Sequence, residues 1–467
     1  MNIMLPALDS ARATPLYRQL YDFLKAEIQE GRLGCDAKLP SKRQLSAHLG
    51  ISQNTIQTAY EQLIEEGYVT SRERSGFYVS RIENILKLPA QGLGKQPVSS
   101  RPRADIAFDF SYQGVDAESF PYAVWRRLSR DVIDEYDHEL LRLGDPQGHG
   151  GLRSNIATYL RHSRGVNCHP DQIVISAGTE FLFQTLIQLL DRCSVYGIEN
   201  PGYERFNQLF TSNQATWRPV EIDRDGMTVA GIAKSRADVI CITPSHQFPS
   251  GEIMPIGRRI QILNWANAFP GRYIIEDDYD SEFKYSGRPI PALQGLDSNE
   301  KVIYLGAFSK SLAPTLRVSY MVLPPHLIRH YRRTLPFIIC PVPMMQQKTL
   351  ARFIEDGHFE RHLNRMRNIY RRKREALVQS FTELGSAVEI RGADAGLHLL
   401  LIVRNGMSEQ QLISAAMARG VRVYGLSRYY LTGDQPADSP TLLIGYASVS
   451  ESAIRQAVHE LHAAWFD

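Results

Sequence analysis

The sequence predicts an α/β protein in two parts: a small N-terminal winged helix-turn-helix, then a large body on a mostly parallel sheet with a smaller C-terminal α+β subdomain. Three observations predict it. Two short helical patterns meet at a two-residue turn, Gly50-Ile51, and give way to a period-two stretch. From Ile106 onward, apolar runs of strand length alternate with segments of helix length. Between these parts, residues 81–105 carry three prolines and little periodicity. The predicted boundaries are 10–80 for the first module, 81–105 for a linker and 106–467 for the body. Within the body the large subdomain covers 150–335 and the small one 336–467.

Composition sets limits. With 467 residues, 43% hydrophobic and 22% charged, the chain can bury a sizeable core. A net charge of +3 selects no partner. The five cysteines, Cys35, Cys168, Cys193, Cys241 and Cys340, form no CxxC pair. That argues for a reducing compartment and against a disulfide framework or zinc site. The absence of a basic-then-apolar leader and of any 18-residue apolar run predicts a cytoplasmic protein with no membrane span.

In the first module, Pro15 to Glu30 places Leu16, Leu20, Phe23, Leu24 and Ile28 on one helical face. Thr14 then Pro15 fits an N-cap followed by proline at the first helical position. Ser41 and Gln44 form a capping box for a second helix ending at Gly50. Ser52 opens a third, with Ile56, Ala59, Tyr60, Leu63 and Ile64 on its apolar side. The stretch YVTSRERSGFYV reads as a β-hairpin with Arg72 and Arg74 at its tip. Two helices joined so tightly are what a helix-turn-helix looks like. Ser52, Gln53, Asn54 and Thr55 are short polar side chains at a helix N-terminus, suited to phosphates and base edges. Residues 10–81 hold ten Lys+Arg against eight Asp+Glu, so an electrostatic footprint rests on Lys42, Arg43, Arg72 and Arg74. A helical protein-binding module shares the gross pattern. The run LPSKRQLSAHLGISQNTIQTAYEQLIEEGYVTSRERSGFYV resembles the winged helix of GntR-type bacterial repressors. The resemblance implies operator DNA as partner, touched by Arg43, Thr55 and the wing. Gln53 stands where that family commonly carries arginine, which would turn a guanine contact into an adenine-leaning one.

In the body, three stretches carry chemistry. DQIVISAGTEFLFQTLIQLL is a strand, a turn at Gly178-Thr179 and a helix, the form of an anion site. RYIIEDDYD is a strand ending in acids, and KVIYLGAFSKSL is a strand ending at Lys310. Arg317 follows seven residues later. Alone, Lys310 reads as a surface lysine. At the end of an apolar strand it is partly desolvated, which favours the neutral amine that attacks aldehydes. Pyridoxal phosphate needs such a lysine, an acid for its ring nitrogen and a phosphate cradle. Lys310 would form the imine and Asp277 would hold the pyridinium proton. Gly178, Thr179 and Arg317 would cradle the phosphate, and Tyr279 would bond the ring hydroxyl. Ser309 joins them as a cofactor contact. Read otherwise, EDDYD is a solvated strand end or a metal site, but no further ligands converge in the sequence.

Residues 106–467 resemble the fold-type I aminotransferases. Fused to the winged helix they resemble the MocR/GabR regulators, and most closely the GabR-like members. The motifs are ENPGY, TPSHQFPSG, IEDDYDSEF, FSKSLAP followed by RVSYMVLPP, AGLH and SRYY. The resemblance implies Tyr203, Arg205 and Arg428 as the effector pocket, with Arg428 clamping a carboxylate, and a head-to-tail homodimer. Taken alone, Arg428 is as well an ordinary salt-bridge arginine. Three positions depart from the pattern: Ala307 replaces a hydroxyl residue, Glu180 replaces a common glutamine, and Phe248 replaces the aminotransferase asparagine. The first two imply weaker cofactor binding. The expected function is a DNA-binding regulator that senses a GABA-like or other anion-bearing amine through an external aldimine. A working aminotransferase with an accessory module, or a regulator sensing pyridoxal phosphate itself, also fits these residues.

Overall fold

A computed structural model describes residues 8–9, 14–81, 106–135, 138–285, 290–432 and 440–467. The chain divides into two compact units, residues 1–101 and 102–467. Of the expected linker, all but Arg81 lies outside the described residues.

The first unit holds helices α1 (Leu16–Gln29), α2 (Lys42–Leu49) and α3 (Gln53–Glu65), then strands β1 (Val69–Arg72) and β2 (Gly76–Val79). Local chemistry places these ends. The Ser41–Gln44 capping box is formed in full, and Gly50 closes α2 at φ 70° in the left-handed region. Ser52 caps α3 by accepting from the Thr55 backbone N–H. Each such cap contributes about 1 kcal/mol. One expectation shifts by a residue: Pro15, not Thr14, is the N-cap of α1. Its ψ of 144° is extended, so the helix begins after it. Leu20, Leu24, Leu45, Ile56, Leu63 and Val79 bury together in a core of this unit's own.

The second unit begins with β3 (Phe108–Asp109), α4 (Tyr122–Asp134), α5 (Gly150–Arg164), β4 (Ile173–Ser176) and α6 (Thr179–Leu189). Next come β5 (Val195–Asn200), α7 (Glu204–Ser212), β6 (Thr216–Asp223), β7 (Gly226–Met227), α8 (Val229–Ser235) and β8 (Val239–Ile242). Then follow α9 (Ile256–Asn267), β9 (Tyr273–Asp278), β10 (Val302–Ala307), β11 (Ser319–Val322), α10 (Pro325–Thr334), α11 (Met344–Glu355) and α12 (His358–Thr382). The chain ends with β12 (Val388–Arg391), β13 (His398–Val403), α13 (Glu409–Ala418), β14 (Val421–Arg422), β15 (Tyr424–Gly425), β16 (Thr441–Gly445) and α14 (Glu451–Phe466).

The main sheet runs β4-β11-β10-β9-β8-β5-β6-β7. Strands β10, β9, β8, β5 and β6 are parallel neighbours, while β11 is antiparallel to both β10 and β4. The sheet is therefore mixed, though mostly parallel as expected. Strands β4, β8, β9, β10 and β11 are buried on both faces, which is why they read as continuous apolar runs, whereas β6 is largely exposed. Ile303 and Leu305 enter a core with α6 and α10, whereas Tyr304 joins one with α5 and α11. The carboxyl ends of β4, β5, β8, β9 and β10 share one edge, where ligands bind in such sheets.

The smaller sheet, β12-β13-β16-β15, is antiparallel. The expected break at residue 336 falls short of the change between cores. Helix α11 packs Leu350 and Phe353 into the large core, as does the first part of α12 with Phe359 and Leu363. From Met366 onward α12 belongs to the small core, which also takes Phe110. One long helix serves both cores, so periodicity carries no mark at the change. The run DPQGHGGLR, 145–153, expected from its glycines as a loop, is also partly helical: α5 starts at Gly150 with His149 as N-cap.

Candidate functional site

The site lies at that strand edge, in a cavity of about 240 Å³. Strand β9 delivers Asp277, the bend just after it Tyr279, and the turn after β10 delivers Ser309 and Lys310. Thr179 and Glu180 come from the first turn of α6, Tyr203 and Arg205 from the start of α7. Arg317 completes the wall. Gly178 stands just behind. Its φ of 102° is open to glycine, and a β-carbon there would run into the Arg317 guanidinium.

The electrostatics favour a ligand bearing opposite charges at opposite ends. Burial lowers the Lys310 ammonium to about 8, against a smaller opposing pull from Asp280. Its Nζ donates to the Tyr112 carbonyl oxygen. Burial raises the Asp277 carboxyl to about 7, with Asp278, Asp280 and Glu180 pushing the same way. Asp277 has no hydrogen-bond or ion-pair partner among the described residues. Arg317 is held at φ 51°, uncommon for a side-chain-bearing residue, and donates to Ala177 O at 3.3 Å and Glu180 Oε2 at 2.7 Å. Arg205 stands 3.6 Å from Glu180 Oε1. The two arginines thus share one glutamate at the cavity mouth.

These residues fit pyridoxal phosphate. A lone carboxylate deep in the body lacks the cation that a ring N–H would supply. A glycine-lined helix start and an arginine form an anion cradle on the other side, and a poorly solvated lysine lies between. The site of Ala307 offers no hydroxyl, and Glu180 holds the arginine of the cradle. Phe248 replaces the asparagine with an apolar hub, packing on Tyr112, Tyr203 and Tyr429 at centroid distances of 4.8, 5.7 and 5.1 Å.

Arg428 is placed elsewhere. Its guanidinium pairs with Glu204 through two hydrogen bonds, of 3.0 and 2.7 Å, and does not line the cavity. Four residues went unassigned in the sequence reading. Tyr112 caps Lys310 and carried no signal in its surroundings. His246, Asp280 and His398 sit inside motifs already noted, TPSHQFPSG, IEDDYDSEF and AGLH. All three are buried, with donor atoms within 4.8 Å of one another. The convergence of ligand-type residues missing from the sequence thus exists in space.

In the winged helix, Ser52 and Thr55 are engaged with each other at the start of α3, 2.8 Å apart. Gln53 and Asn54 are exposed beside them. Lys42 donates to Gln57 at 2.8 Å. Arg72 pairs with Asp36 and stacks over Tyr78 at 4.4 Å. Arg43 and Arg74 are exposed with no ion-pair partner among the described residues.

Comparisons with known proteins agree with this division. Residues 16–79 match the bacterial regulatory proteins of the gntR family, and residues 115–461 match aminotransferase class I and II. The HTH-type transcriptional regulator YdeL of Bacillus subtilis is 41% identical over 98% of this chain and 99% of its own. The probable rhizopine catabolism regulatory protein MocR of Rhizobium meliloti is 33% identical over 98% and 95%. The body shares its fold with the Pyrococcus horikoshii kynurenine aminotransferase, solved with PMP, at TM-score 0.69 and 24% identity over 78% of this chain and 91% of that one. No helix among the described residues is long and apolar enough to cross a membrane. The chain belongs to the MocR-type family: it is a pyridoxal-phosphate-dependent transcriptional regulator, a gntR-family DNA-binding domain followed by an aminotransferase class I and II body.

Proposed function

We propose that the body senses a small amine bearing an anionic group and that binding of this amine changes the affinity of the winged helix for operator DNA. The observation that carries the reading is the cavity itself. Lys310 and Asp277 face it without an ion-pair partner, and Arg205 stands at its mouth. Bound there, pyridoxal phosphate supplies an aldehyde that combines reversibly with amines and a ring that draws electrons. Lys310 would hold the aldehyde carbon while no amine is present: with its pKa lowered to about 8, about a tenth of its amine is neutral at pH 7, far more than for an ordinary lysine. Asp277 keeps a proton on the ring nitrogen. Gly178, Thr179, Ser309 and Arg317 would hold the phosphate, and Arg317 would then divide its donors between that group and Glu180. Tyr203 closes the wall beside the amine.

Arg205 receives the anionic end of the effector. Arg428 would clamp the same group only after leaving Glu204, so its pair is a second, costlier contact. A ligand shifts DNA binding only by its differential affinity for the two states of the protein. We further propose a head-to-tail homodimer, which suits an operator of two half-sites.

A second reading has one observation in its favour. The relative PdxR of Corynebacterium glutamicum, 28% identical over 98% of this chain, is named as a pyridoxine biosynthesis transcriptional regulator. On that reading pyridoxal phosphate alone is the signal.

Absorbance of the purified protein, titrated with a panel of amines beside DNA binding, separates these readings. Amine sensing predicts a spectral shift and a changed DNA affinity with no keto acid released. DNA affinity that responds to pyridoxal phosphate and to none of the amines overturns it in favour of the second reading. Sustained keto-acid turnover points to an aminotransferase instead. Lys310→Ala is expected to lose the visible band entirely while the winged helix still binds DNA. Arg43→Ala and Arg74→Ala should each weaken DNA binding and lower the salt slope by about one.

A further inference from the structure

Behind Tyr279 lies a buried group that the cavity does not touch. His246 Nδ1 stands 2.9 Å from Asp280 Oδ2 and 3.0 Å from the Tyr279 hydroxyl. His246 and Asp280 are 1% and 2% exposed at their side chains. One nitrogen therefore faces two oxygens, and it carries either one proton or one lone pair. A carboxylate only accepts, so the contact with Asp280 places the proton on Nδ1. Nε2 of His246 has no partner. An unmet lone pair there is tolerated better than a buried N–H without an acceptor, which selects the neutral Nδ1–H tautomer. His398 packs its ring 4.8 Å away and stands 3.2 Å from Pro249 O through Nε2; burial holds its pKa well below the ordinary value. Gly396 lies against the His246 imidazole, at φ 70° and with no room for a β-carbon. The ring is thus wedged in one orientation.

We infer that the Asp280–His246 dyad positions the phenolic proton of Tyr279. With Nδ1–H directed at Asp280, Tyr279 cannot donate to His246. Its oxygen accepts at most a share of that hydrogen, and its own O–H turns into the cavity that it lines with Lys310. His246 and Asp280 are positioning residues: neither lines the cavity. The other titratable groups acting on Tyr279 are Asp277, Glu199 and Tyr112. The inference rests on the proposed binding of pyridoxal phosphate and on Tyr279 meeting its ring hydroxyl, as the sequence leads one to expect.

The test is a pH titration of the visible absorption of the full-length protein loaded with pyridoxal phosphate. A donated hydrogen bond stabilises the anionic, proton-poor form of the chromophore, so Tyr279 holds the pH midpoint down. Tyr279→Phe is expected to raise it by about one unit. Asp280→Asn keeps the volume and removes the carboxylate, an obligate acceptor; with the amide N–H turned to Nδ1, the imidazole proton moves to Nε2. The tautomer then reverses, Tyr279 donates to His246, and the midpoint rises in the same direction. Simple loss of a negative charge near Lys310 would lower the midpoint instead, so the sign discriminates. His246→Leu leaves the buried Asp280 carboxylate without its donor and so a competing acceptor for the Tyr279 proton, which should raise the midpoint also, and His246→Asn, whose amide restores a donor near Nδ1, should return it toward wild type. The double variant Asp280→Asn with Tyr279→Phe should match Tyr279→Phe alone. A midpoint unchanged or lowered in Asp280→Asn, beside a raised one in Tyr279→Phe, overturns the dyad's role. No shift in Tyr279→Phe overturns both the placement of Tyr279 and the inference built on it. Should Asp280→Asn fail to fold, the two His246 variants decide alone.

Discussion

Strand β9 ends on two adjacent carboxylates with opposite fates. Successive side chains of a strand point to opposite faces, so Asp277 meets the cavity and Asp278 the body behind the sheet. Asp278 is 2% exposed at its side chain and pairs with Arg164 at 2.8 Å. The same oxygen accepts from Tyr304 at 2.5 Å, while Oδ1 goes unpaired. Arg164 in turn donates to Ser245 at 2.6 Å. Asp277 has no such company. The same residue type, one position apart, serves architecture on one face and remains open to a ligand on the other. Depth in the fold does not separate the two; the presence of a built-in partner does.

That contrast can be broken by mutation. Asp278→Ala leaves the Arg164 guanidinium buried without its counter-charge, at a cost of about 3–5 kcal/mol. Thermal unfolding should show it, and an unchanged midpoint would make Asp278 the more dispensable of the two. Asp277→Asn should leave thermal stability of the cofactor-free protein unchanged or slightly higher, because no partner is lost and a desolvated charge is removed. It should weaken pyridoxal phosphate binding by about 2–3 kcal/mol, read by equilibrium titration, since a charged hydrogen bond is lost.

Lys310 sharpens the comparison through pH. Its pKa is lowered to about 8, so the amine is protonated below that value and neutral above it. The rate of aldehyde capture by cofactor-free protein should rise about tenfold per pH unit below the midpoint and level off above it. A rate already flat at about pH 6 would mean the lysine is more strongly depressed than burial implies.

The smallest effect belongs to the Glu204–Arg428 pair, whose side chains are 23% and 45% exposed. Breaking it with Glu204→Gln should cost no more than about 1 kcal/mol of stability. If Arg428 clamps the effector, the same change should tighten effector binding by freeing the guanidinium. Unchanged affinity would leave Arg205 as the anion contact.

Much of this was legible in the chain. The capping box at Ser41, the left-handed Gly50 and the apolar runs of β8, β9 and β10 are short-range signals, readable within a few residues. Lys310, Asp277 and Gly178 were readable because each stands where a strand ends, and ligands gather at that edge. Arg428 was harder. Its sequence neighbourhood is the same whether it binds a ligand or a glutamate more than two hundred positions away. The subdomain change inside α12 was hidden because one continuous helix serves two cores.

By itself, then, the sequence determined the two parts, their secondary structure, the cofactor chemistry and the candidate lysine, because caps, periodicity and strand ends act locally. The tertiary structure alone decided which carboxylate has a partner, which arginine opens to the cavity, and that His246, Asp280 and Tyr279 meet. Those outcomes depend on contacts between distant segments, and the crossing order of a mixed sheet sets such contacts. The residues had been visible all along in their motifs; their hydrogen-bond partners had not.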